Sequence, residues 1–87
     1  SRGILLVDVV ELRNISPALT AHHSNFFCLV DYNGQAARTY AVPITDNSTT
    51  WDNQSFCFLI DGPLDSPLRI YGFAESVSDR PKLIGVD

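Results

Sequence analysis

The sequence predicts an all-β fold, an antiparallel β-sandwich, on three observations. Segments rich in β-branched and aromatic residues recur at short spacing, as in Leu5-Leu6-Val7, Phe26-Phe27-Cys28-Leu29-Val30, Phe56-Cys57-Phe58 and Ile70-Tyr71-Gly72-Phe73. Turn-forming residues separate them, with Asn33-Gly34 and Asp61-Gly62-Pro63 as the clearest cases. No stretch sustains the 3.6-residue period of a buried helix face. Roughly six strands without a helix indicate two packed antiparallel sheets.

Gly3 to Leu12 opens the chain as a strand with Ile4, Leu6 and Val10 on one face and Leu5, Val7 and Val9 on the other. Apolar groups on both faces suit a central or overlaid strand better than an edge. Arg13 to Ser24, which holds Asn14, Ser16, Pro17, Thr20 and the pair His22-His23, reads as a loop. Asn25 to Tyr32 is the next strand. If Cys28, Val30 and Tyr32 face the core, Phe27 and Leu29 face the opposite way.

Asn33-Gly34 then predicts a type I′ hairpin, because both residues tolerate the positive φ that this turn requires. Gln35 to Val42 forms the return strand, and Pro43 to Thr50 is polar turn sequence. Trp51 to Ile60 follows, with a bulge expected where Asp52 to Ser55 interrupt the alternation. Asp61-Gly62-Pro63 ends that strand. Leu68 to Ala74 alternates again, Glu75 to Pro81 is a loop, and Lys82 to Asp87 begins a last strand.

In this order the segments resemble a C2 domain, and the resemblance runs from Gly3 to Asp87. The carrying residues are Ser24-Asn25-Phe26-Phe27-Cys28, where the family has Ser-Asp-Pro-Tyr-Val, then Thr39, then Trp51, Asp52, Phe56 and Phe58, and finally Ile84-Gly85. The resemblance implies a C2-like sandwich that is C-terminally truncated, lacking its last strand or strands. It also locates the family's calcium loops. Their aspartate positions fall on Asn25, Ala74 and Ser76, with Leu19 or a neighbour in the first loop, and only Glu75 and Asp79 supply carboxylates nearby. Calcium takes six to eight oxygen ligands and binds more tightly as carboxylates accumulate, so a calcium-independent member is expected, with no cofactor. The strand after the hairpin carries Arg38 as its one base, too little for a polybasic lipid site.

Composition narrows the function classes. The chain has 87 residues, enough for a single domain over residues 1–87. Ten acids against six bases give a net charge of −4, and Arg2, Arg13, Arg38, Arg69, Arg80 and Lys82 are scattered. Without a basic stripe, nucleic acid is not an expected partner. Cys28 and Cys57 lie in apolar strand runs, as small core residues of a reducing, cytoplasmic compartment. No signal-like or membrane-spanning run is present in these residues.

Catalytic chemistry has no foothold. Neither a nucleophile elbow nor a phosphate loop occurs, and Asp8, Glu11, Asp61 and Asp65 do not form a paired-carboxylate site. His22 and His23 lack a third ligand at metal spacing. Trp51 reads as a packing residue that anchors its turn.

The expected function is protein-protein interaction or scaffolding within a larger intracellular protein, a partner chain completing the sandwich edge. The expected binding residues are Phe26, Phe27 and Leu29, with His22 and His23 in the loop before them. A second expectation is peripheral membrane docking, in which Phe26, Phe27 and the loops Arg13 to Asn25 and Ala74 to Lys82 meet lipid and Glu75 and Asp79 hold residual calcium. A third is an extracellular immunoglobulin-like domain with a Cys28–Cys57 bridge. It fits less well, because Trp51 sits beside the second cysteine rather than after the first.

Overall fold

Period-2 alternation puts one set of side chains from each strand into a shared interior. In the computed structural model, which describes residues 2–62 and 65–86, that interior lies between two layers of antiparallel strands. The first layer is a ribbon. β1 (Arg2–Asp8) pairs with β7 (Ser55–Asp61), and β2 (Glu11–Leu12) pairs with β6 (Thr49–Thr50) beyond a kink. Val9 N–H donates to the Gln54 carbonyl and Trp51 N–H to that of Val10, which joins the two pairs. Val9 and Val10 thus face the longer stretch Trp51 to Gln54, and the surplus residues bulge out with Asn53 at φ 57°.

The second layer has the order β4-β3-β8-β9, from β4 (Gln35–Arg38), β3 (Asn25–Tyr32), β8 (Leu68–Ala74) and β9 (Lys82–Val86), with β5 (Val42–Pro43) also on β3. The expected hairpin joins β3 to β4, with Asn33 at φ 49° and Gly34 at φ 80°. Both values are those a type I′ turn demands.

Between Arg38 and Val42 the return strand leaves the ladder. Leu29 pairs with Arg38 and Phe26 with Val42, so Phe27 and Cys28 face the longer stretch Thr39 to Ala41. Such a bulge threatens to leave a buried amide unpaired. Thr39, fully buried, answers this locally: its Oγ1 accepts the Cys28 N–H at 3.0 Å and its own N–H donates to the Cys28 carbonyl at 2.9 Å. Tyr40 is thereby turned toward the other layer. Its carbonyl accepts the Trp51 indole N–H at 2.9 Å, its N–H donates to Gln54 Oε1, and its hydroxyl donates to the Asp52 carbonyl.

The main core joins Val7, Val9 and Phe58 of the first layer to Cys28, Val30 and Tyr32 of the second, with Trp51 at its margin. A smaller cluster of Ile15, Phe26 and Ala74 closes the end nearest the loops. Burying each large side chain contributes about 1.5–3 kcal/mol relative to exposure.

Three sequence expectations are corrected. The stretch Arg13 to Ser24 contains a one-turn helix, α1 (Pro17–Thr20), because Ser16 caps it by accepting the Ala18 N–H and Pro17 occupies the first turn. The first strand is not overlaid: among the described residues β1 pairs with β7 alone, and Ile4, Leu6 and Val10 are 68%, 63% and 62% exposed. Cys57 is not a core residue, for it sits opposite Leu6 on the outer face of that ribbon. Pro63 and Asp87, expected to end one strand and extend another, lie outside the described residues.

Candidate functional site

The end of the molecule that carries Asn25, Ala74 and the flanking loops is held together by its own polar groups. Ladder pairing continues one step past Phe26 and Ala74, where the Glu75 N–H donates to the Asn25 carbonyl at 2.9 Å. Asn25 Nδ2 donates to Glu75 Oε1 at 3.4 Å, and His23 Nδ1 lies 3.2 Å from the Glu75 carbonyl oxygen. The backbones of His22 and His23 both bond to the Leu19 carbonyl as α1 ends, and the His22 side chain is exposed. The two histidines therefore do different things: one ties two loops together and the other faces solvent.

The remaining loop groups point elsewhere. Asp79 Oδ1 accepts the Arg80 N–H at 2.7 Å, an intraloop turn contact. Ala74 is buried, Ser76 is half-buried, and Val77 beside them is fully exposed. Among the described residues, no group of three or more His, Cys, Asp or Glu side chains gathers at a common point.

Phe26 and Phe27 are corrected as surface residues. Phe26 is fully buried against Ile15 and Ala74, and Phe27, on the opposite face of the sheet as its alternation requires, is 5% exposed. Two neighbours cover Phe27. Phe73 stacks on it with ring centroids 5.2 Å apart, and the Arg38 guanidinium lies 3.8 Å above the ring centroid. Phe26 is reached only by unpacking the core, and Phe27 only if the Arg38 or Phe73 side chain moves off its ring. Leu29 is half-buried beside Tyr71 and Arg38.

The exposed apolar surface is on the first layer. Cross-strand pairs Ile4–Leu59 and Leu6–Cys57 form a patch on the outer face of the β1–β7 ribbon, with Leu59 68% exposed. Arg2 and Asp61 close one end of this face 3.7 Å apart, and Asp8 and Ser55, which are hydrogen-bonded, close the other. The two edges of the ribbon differ. On the β7 side, the Gln35 side chain acts as a short strand, accepting the Leu59 N–H at 2.9 Å and donating to the Leu59 carbonyl at 2.8 Å. Past the end of β1 a groove of about 300 Å³ lies between the layers, lined by Asp8, Val9 and Leu12 of the first and by Cys28, Ile70, Gly85 and Val86 of the second.

The sequence flagged both faces of Gly3 to Leu12 as apolar, which is the signal for this patch. The groove had no local signal, because its walls come from strands distant in the chain. A second, more polar depression lined by Tyr40, Thr45, Ser48, Thr49 and Asp52 was not anticipated either.

Cys28 and Cys57 are free thiols on opposite faces, one buried and one exposed, so the Cys28–Cys57 bridge of the immunoglobulin-like reading is not present. Burial pushes the Cys28 thiol up to about 11. No family model matches the chain, and no curated protein matches it in sequence.

Proposed function

We propose that this chain is a calcium-independent, C2-like interaction module that binds a protein partner through its first layer. The observation that carries the reading is the apolar patch of Ile4, Leu6 and Leu59 on the ribbon's outer face. Clustered apolar groups exposed this far on both strands of a pair mark contact surfaces. The loop end supports the calcium-independent part. Glu75 is engaged by Asn25 and Asp79 by its own loop, while Ala74 brings no oxygen where the C2 pattern has an aspartate.

The test is a calorimetric calcium titration together with the unfolding midpoint in calcium and in chelator. The expected outcome is no heat and an unchanged midpoint. A calcium-dependent rise in midpoint, as ligand linkage demands of a bound ion, would overturn the calcium-independent reading.

The second reading is peripheral membrane docking, and one observation favours it. Val77 stands fully exposed in the loop between β8 and β9. Sedimentation with vesicles containing phosphatidylserine tests it: binding that Val77→Asp abolishes would put the membrane first. No sedimentation at any salt or calcium level would leave the protein-interaction reading alone.

A further inference from the structure

β1 is an open edge without the devices that normally close one. Among the described residues it pairs with β7 alone, and from Gly3 to Val7 it holds no charge, proline or bulge. Edges that stay unpaired are blunted by such features, so a bare one is a template for another strand. Which backbone groups it offers follows from the ladder. Leu59, opposite Ile4, spends its N–H and its carbonyl on Gln35, on the far side from β1. Ile4 and Leu59 are therefore a non-hydrogen-bonded pair, and alternation turns the N–H and C=O groups of Arg2, Ile4, Leu6 and Asp8 to the open side. The edge stops at Asp8, because the Val9 N–H and the Val10 carbonyl both turn back, toward Gln54 and Trp51.

The same residues share the outer face. Ile4 and Leu6 stand exposed on it, and period-2 alternation sets the exposed Arg2 and Asp8 at its two ends. Along this face the strand reads base, apolar, apolar, acid. Antiparallel pairing of two copies about Leu5 sets Arg2 opposite Asp8, Ile4 opposite Leu6 and Leu5 opposite itself, with the open backbone groups of each pair turned toward one another. Sliding the copies by two residues breaks the match. One shift sets Asp8 against Ile4; the other sets Arg2 against Leu6 and carries Asp8 past the end of the opposing strand. Neither charge is committed elsewhere. Asp8 accepts a hydroxyl from Ser55 and has no base among the described residues, and Arg2 lies 3.7 Å from Asp61 with both side chains largely exposed, a pair that solvent keeps weak.

We infer that β1 pairs with β1 of a second copy of this chain, antiparallel and centred on Leu5, so that the two ribbons join in one sheet of order β7-β1-β1-β7. A closed two-fold contact requires a surface complementary to itself. β1 meets that requirement in backbone phase, face and charge at a single register, and no group has to come from outside the chain. Main-chain bonds and the Ile4–Leu6 pairs hold the dimer, while the exposed Arg2–Asp8 pairs fix its register more than its affinity. The inference goes beyond the interaction-module reading. That reading concerns the outer face, which pairing leaves open and joins into one apolar stripe of Ile4, Leu6 and Leu59 from both copies. A monomeric chain can still bind a partner there, so the two fail separately.

Sedimentation equilibrium from micromolar to millimolar concentration is expected to show a reversible monomer-dimer equilibrium, with the Ile4 and Leu6 amides exchanging more slowly as the dimer fills. Leu6→Lys, a surface change that blunts an edge as natural sheets do, should weaken the dimer about tenfold or more, since the two-fold axis repeats its effect. Arg2→Asp should weaken it about threefold or more by setting like charges opposite, and adding Asp8→Arg should restore it. Cross-linking in a Cys57→Ser background reads the register. Opposed residues of a non-hydrogen-bonded pair lie about 4.5 Å apart at Cα, within disulfide reach. Mild oxidation should therefore link Leu5→Cys chains into dimers and leave Gly3→Cys chains, which face Val7, unlinked. A chain that is monomeric at every concentration overturns the inference. So does a dimer that Leu6→Lys leaves as tight, a double variant no tighter than Arg2→Asp, or cross-linking of Gly3→Cys that matches Leu5→Cys. Slow Ile4 and Leu6 exchange in the monomer also overturns it, by giving the edge to another segment of chain.

Discussion

Replacing Thr39 by valine removes one oxygen from the interior and almost no volume. Thr39 is fully buried, and its hydroxyl is the acceptor for the Cys28 N–H at the point where the return strand bulges away from β3. In Thr39→Val that amide stays buried with no acceptor in its place. An unsatisfied buried donor costs about 1–3 kcal/mol. The added methyl returns part of this, since a buried CH₂-sized group is worth about 0.8 kcal/mol. The expected net loss is therefore about 0.2–2.2 kcal/mol. For a domain of this size each kcal/mol moves the midpoint by about 4–8 °C, so Tm should fall by about 1–18 °C. Thr39→Ser is the control. It keeps the oxygen and loses a methyl, and should cost about 0.8 kcal/mol or somewhat more if a void remains. Thermal and urea unfolding followed by circular dichroism measure both, and native-state exchange of the Cys28 amide reports the bond directly. If the Cys28 amide exchanges as slowly in Thr39→Val as in the parent and in Thr39→Ser, the hydroxyl is not what holds the bulge.

Three further predictions follow from the interior and the groove. Under native conditions Cys57 should react with a thiol reagent at once and Cys28 only after urea unfolding; two fast thiols per chain would contradict the placement of Cys28. The same burial makes stability pH-dependent. The Cys28 thiol is raised to about 11 from an ordinary value of 9.0, so the unfolded chain releases that proton first, and the contribution is complete below pH 9 and lost as pH rises toward 11. Cys28→Ala should flatten the stability-pH curve in that window, and an unchanged slope would show that other groups produce it. At Gly72, an added Cβ would lie 3.4 Å from Ile84 Cγ1 and 3.5 Å from Leu12 Cδ2, ordinary contact distances. Gly72→Ala should therefore stabilise by about 0.4–1 kcal/mol through the unfolded chain. A drop in urea midpoint would mean that the strand cannot accept even a methyl there.

The site was only partly legible in the sequence. Alternation correctly put Cys28, Val30 and Tyr32 on one side of β3 and Phe27 and Leu29 on the other. It could not say that Phe27 is covered, because its cover comes from Phe73 on β8 and Arg38 on β4, each brought in by pairing. The strand from Gln35 to Val42 read as continuous because Thr39, Tyr40 and Ala41 are all acceptable strand residues. Its break is decided by a hydroxyl reaching an amide on the neighbouring strand. The short helix at Pro17 was missed for the opposite reason: one turn is too brief to show a period, and its stabilising signals are a cap and a proline.

What the sequence alone determined is local. Period-2 alternation, β-branched and aromatic content and the Asn33-Gly34 turn specify where strands run and which side chains share a face, since these depend on backbone geometry over a few residues. Neighbourhood was decided only by the tertiary structure. That β1 is an edge among the described residues, that Cys57 faces outward while Cys28 is enclosed, and that β8 and β9 line a groove with the stretch Asp8 to Leu12 all depend on pairings between residues far apart in the chain. A strand's own pattern records that both its faces are apolar, but not whether anything stands beside it, because the hydrogen bonds that recruit a neighbour come from the backbone, which every residue but proline supplies alike.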